Sequence, residues 1–100
     1  MDALQTPRVH LNGTPKQTLM DEYLQALDAA RQAYNVVGVR GCPNQRDYYP
    51  LGAAAWDSAI HEHNVRMAKL KDVCDELEAL VIAICDAPSP TVASRGLYTL

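Results

Sequence analysis

Phenylalanine is absent from this chain, and tryptophan occurs once, at Trp56. With alanine making up much of the apolar content instead, the core must be thin and built from helices. No run of 18 apolar residues occurs, so a membrane-spanning helix is not expected. The opening MDALQTPRVHLNG has neither the basic start nor the apolar centre of a secretory signal, and the expected location is the cytoplasm. Cysteine is scarce and odd in number: Cys42, Cys74 and Cys85. The last two lie on one predicted helix, roughly 16 Å apart by helical rise, too far to bridge within a chain. Reduced thiols in a cytosol fit this set. The net charge of −3 gives no general attraction to DNA, RNA or an anionic membrane surface, and none of these is an expected partner.

Recognisable catalytic patterns are also missing. There is no glycine-rich phosphate loop, no HExxH, no paired CxxC and no carboxylate motif, and the acidic residues read as solvated faces. His61-Glu62-His63 looks like a metal cluster, but residues two apart on a helix point about 200° from each other, whereas zinc-binding helices pair residues four apart. Cys74 falls on a core-facing position where a thiol is inert, which leaves Cys42 as the plausible reactive thiol. Asn12-Gly13-Thr14 matches a glycosylation acceptor, without weight in a chain expected to stay in the cytoplasm. No enzyme activity, resident metal or cofactor is expected.

What the chain does have is a helical seam. Trp56, Ile60, His63, Met67, Leu70, Cys74, Leu77, Val81 and Ile84 follow one another at spacings of four and three, with no Pro or Gly from Ala53 to Ala87. That periodicity predicts one long helix over 53–87, about 50 Å long. His63 sits on this seam as a packed histidine or a polar register device. A shorter helix over about 15–37 carries Met20, Tyr23, Leu27, Ala30, Tyr34 and Val37 on one face and ends near Gly38. Its start reads as a capping box, with Thr14 the cap, Pro15 the first helical residue and Gln17 reaching back. Around these lie an N-terminal arm (1–13) with a short extended candidate at Arg8–Leu11, a 38–52 loop rich in Gly and Pro, and a tail (88–100) that docks or stays mobile. The fold class is all-α: a single-domain antiparallel helical hairpin whose segments are 1–13, 14–37, 38–52, 53–87 and 88–100. Because the shorter helix leaves part of the long seam uncovered, especially its distal end, the hairpin is expected to form an oligomeric bundle with copies of itself.

Two polar clusters are not required by that packing. The arm offers Arg8, His10, Asn12 and Thr14 beside a helix N-terminus, with Lys16 adding charge, an arrangement suited to an anion. The loop offers Arg46 with Tyr48 and Tyr49, suited to stacking a base and clamping a phosphate. The plain alternative is that the tyrosines plug the end of the hairpin and that Arg46-Asp47 is a surface pair. The two clusters fall at opposite ends of the short helix, about 33 Å apart. They meet only across an antiparallel dimer or through a folded-back arm.

Arg8 to Thr14, a short helix, then Arg46-Asp47-Tyr48-Tyr49-Pro50 before a long helix resembles small bacteriophage-encoded helical-hairpin proteins. In size and architecture the chain is similar to their oligomeric sponges, which sequester nucleotide-derived signals of bacterial immunity. The resemblance implies a non-enzymatic counter-defence protein that binds a cyclic oligonucleotide or cyclic ADP-ribose type of signal at an oligomer interface. The other expectation is a protein-binding inhibitor or assembly factor acting through its helical surface.

Overall fold

The chain is seen in a computed structural model that describes residues 4–89. Two helices, α1 (Lys16–Arg40) and α2 (Ala53–Asp86), pack as a helical hairpin, joined through two 3₁₀ turns, Gln45–Asp47 and Tyr49–Leu51. Among the described residues there is no strand, and no helix long and apolar enough to cross a membrane. The docking or mobility expected of the tail concerns residues that lie, from 90 onward, outside those described.

The apolar periodicity decides which faces are covered. Every seam position from Trp56 to Ile84 is at least partly buried, with His63 and Ile84 buried outright. On α1, Met20, Tyr23, Ala30, Tyr34 and Val37 are half-buried and Leu27 is buried.

The chain divides into two compact units. The terminal unit comprises the described residues up to Leu27 together with those from Glu76 onward. Its buried residues are Leu27 and Ile84. Lys16 Nζ donates to the Ala87 carbonyl at 2.6 Å, tying the start of α1 to the end of α2 and satisfying a carbonyl that a helix end leaves without a partner. The distal end of the seam, expected to face water, is therefore covered within the chain: Ile84 is fully buried, and Leu77 and Val81 are half-buried.

The start of α1 differs from the capping-box reading. The Leu19 N–H donates to the Pro15 carbonyl at 2.9 Å, so Pro15 occupies the cap position and Thr14 lies one residue outside it. Gln17 reaches forward, its amide donating to Asp21 Oδ1 at 2.8 Å; with Pro15 at the cap there is no cap N–H to donate to its side-chain oxygen. Arg8–Leu11 forms no strand, because the chain turns there, the Gly13 N–H donating to the His10 carbonyl at 3.1 Å.

The loop unit runs from Asp28 to Asp75, and its buried residues are Ala59 and His63. α1 continues through Gly38 and closes when the Gly41 N–H reaches the Val37 carbonyl at 3.0 Å. Gly38 ends nothing; a Cβ there would sit 3.1 Å from Met67 Cε, so the glycine lets a methionine of α2 lie close against the α1 backbone. Gly52 is the position that needs glycine for its conformation, at φ 100° and ψ 167°, a region closed to other residues. From it the chain enters α2, the Gly52 carbonyl accepting from the Trp56 N–H at 3.4 Å.

Candidate functional site

The connection after α1 is ordered by its own side chains. Asn44 Oδ1 accepts from the Arg46 N–H at 3.1 Å, an Asx turn that starts the first 3₁₀ turn. The second follows at once, with the Leu51 N–H donating to the Tyr48 carbonyl at 2.8 Å and the Gly52 N–H to Tyr49 at 3.1 Å. Tyr48 packs against Trp56, ring centroids 6.0 Å apart and tilted by 49°, a separation within the range of interacting aromatic pairs. This contact anchors the loop to the first turn of α2.

Where the loop returns over α2 it leaves a cleft of about 480 Å³ lined by Asn44, Asp47, Tyr48, Leu51, Ser58, Glu62 and Arg66, among others. That volume is in the range of small-molecule sites. A neighbouring hollow of about 380 Å³ shares Glu62 and Arg66 and adds His61, Val65 and Lys69. The spacing of Glu62, Arg66 and Lys69 by four and three puts them on one side of α2. That spacing is present in the sequence, where Glu62 reads only as part of a solvated face.

The residues singled out by sequence fall into both units. In the loop unit, Tyr48 lines the cleft, and Arg46 and Tyr49 are exposed, Tyr49 at 74%. The Tyr48 contact with Trp56 gives that residue the hairpin-plugging role as well. In the terminal unit, Arg8, His10, Asn12 and Thr14 are exposed. The Lys16 ammonium holds the Ala87 carbonyl, and the His10 ring lies against Gly13, where a Cβ would come within 2.6 Å of Nε2. Arg8 also borders a groove of about 460 Å³ between residues 5–9 and the end of α2.

The histidine pair divides by environment, His61 exposed and His63 only 7% exposed. Its Nδ1 is buried without a hydrogen-bond partner. Among the described residues no group of three potential ligands could hold a metal ion. Cys42 is exposed, its thiol 3.7 Å from the Pro43 carbonyl; Cys85 is exposed too, so Cys42 is not the one accessible thiol, and Cys74 is half-buried. No protein-family model, characterised protein or solved structure matches the chain.

Proposed function

We propose that this chain is a non-enzymatic cytoplasmic protein of the phage counter-defence kind, which sequesters a nucleotide-derived immune signal of the cyclic oligonucleotide or cyclic ADP-ribose type. The observation that carries this reading is the ordered loop: Tyr48 lines a ligand-sized cleft while Arg46 and Tyr49 stand exposed on adjacent 3₁₀ turns. A flat aromatic face and a guanidinium are the two groups a base and its phosphate need. Arg8, His10, Asn12 and Thr14, exposed on the arm, would complete the site from a second copy. Assembly is favoured by apolar side chains of the loop unit left in water, Val39 at 80% and Leu51 at 73% exposed.

Those same exposed side chains support the second reading, a protein-binding inhibitor or assembly factor. Light-scattering mass measurement and calorimetry with cyclic dinucleotides, cyclic trinucleotides and cyclic ADP-ribose isomers, followed by chromatography of the recovered ligand, separate the two. Sequestration predicts an oligomer and a ligand bound below about 10 μM and returned intact, an affinity of roughly −7 kcal/mol. A monomer contradicts the assembly, and a hydrolysed ligand contradicts the absence of catalysis. No binding across the panel leaves the protein-inhibitor reading in its place.

A further inference from the structure

We propose that the cleft of the loop unit takes a guanine nucleotide, its base edge read by Asp47 and Glu62 and its phosphate held by Arg66 and Lys69. This assignment rests on the nucleotide-binding reading and goes further by naming the base and four residues that reading does not use.

Among the described residues none of these four side chains has an ion-pair partner, although all four are exposed at the cleft or at the hollow that continues it. A simple anion is disfavoured, since Asp47 and Glu62 together outweigh Arg66 within the cleft. A simple cation meets Arg66 there and Lys69 beyond it. The arrangement suits a ligand with hydrogen-bond donors at one end and negative charge at the other. Along α2 the rise from Glu62 to Lys69 is about 10 Å, comparable to the span between a base edge and its phosphate.

The carboxylates also choose the base. An ionised carboxylate only accepts hydrogen bonds, so it pairs best with an edge that offers adjacent donors. Guanine presents N1–H beside its amino group and can meet a carboxylate with two parallel bonds. Adenine and cytosine set a ring acceptor beside their amino group, and uracil flanks its single N–H with two carbonyls, so each turns a lone pair toward the carboxylate. Tyr48 supplies a flat wall, already fixed by Trp56, against which the base stacks.

The test is calorimetry on the full chain with cyclic di-GMP and cyclic di-AMP as probes, repeated with guanosine and adenosine 5′-monophosphate. The native protein should prefer the guanine member of each pair by on the order of tenfold. Asp47→Asn combined with Glu62→Gln should bring that ratio close to one, while Arg66→Ala combined with Lys69→Ala should weaken both members alike and keep the ratio. All four positions are exposed, and circular dichroism would verify that the helices persist. Equal binding of both bases by the native chain, or a preference that survives loss of the carboxylates, overturns the base assignment and leaves sequestration standing. Unchanged affinity after loss of Arg66 and Lys69 overturns the phosphate assignment. If no probe binds, and the wider panel of cyclic nucleotides also fails, the nucleotide reading itself falls.

Discussion

In the terminal unit the residues removed from water are Leu27 and Ile84, whereas in the loop unit they are Ala59 and His63. Each buried Leu or Ile contributes about 1.5–3 kcal/mol, an alanine methyl much less, and a histidine with an unpartnered nitrogen works against folding. The polar groups divide in the opposite sense. Lys16 of the terminal unit is engaged in holding the chain, while the loop unit lines its cleft with Asp47, Glu62 and Arg66, which no ion pair occupies. The terminal unit thus buries the larger aliphatic side chains and the loop unit leaves more charge unpaired at its cleft, although both draw on the same two helices.

The sharpest way to break this comparison is to remove the aliphatic burial. Ile84→Ala should cost about 2–5 kcal/mol in chemical denaturation, the largest effect of any single truncation considered. A loss below about 1 kcal/mol would mean that the terminal unit is not where stability resides. The loop unit's corresponding weakness is conformational. Gly52→Ala forces a side chain onto φ 100° and should cost about 1–3 kcal/mol, with a matching loss of the proposed nucleotide binding because the Gly52 N–H closes the turn that begins at Tyr49. A silent Gly52→Ala would show that the loop can adopt another path without consequence.

How far the sequence reveals this division depends on which physical signal is strong. The seam from Trp56 to Ile84 was legible because spacings of four and three over nine positions admit no other regular structure. The connection was legible from its Gly and Pro residues, but its start was not. Gly38 reads as a helix stop, and only the position of Met67 against it explains a glycine inside α1. Thr14 reads as the cap by residue type, but the carbonyl that accepts from Leu19 belongs to Pro15. Glu62, Arg66 and Lys69 share a helix side by spacing alone. What brings Glu62 and Arg66 into a cleft is the return path of the loop, which rests on Asn44 capping a 3₁₀ turn and on Tyr48 meeting Trp56.

A smaller effect concerns the buried histidine. His63→Leu removes an orphaned Nδ1 and should leave stability unchanged or raise it by about 1 kcal/mol. A substantial loss would reveal a partner for that nitrogen, as a register device between copies would require. The smallest effect lies at Lys71, whose ammonium is held by Asp75 at 3.2 Å. The hydrogen bond and then the charge of Asp75 raise the Lys71 pKa. A raised lysine adds stability below its ordinary value near 10.5 and loses that contribution as pH climbs through the raised one. The pair is solvent-exposed, so Asp75→Asn should leave the denaturation midpoint at pH 7 unmoved, any difference vanishing above the alkaline transition.

The most direct measurement is a two-dimensional amide NMR titration of the full chain with cyclic di-GMP. If the loop unit is the binding element, the shifted amides will cluster at residues 41–51 and along 55–69, with weaker changes in the arm where a second copy contributes. Shifts confined to residues 5–16 and 83–88, or none at saturating ligand, would contradict that assignment.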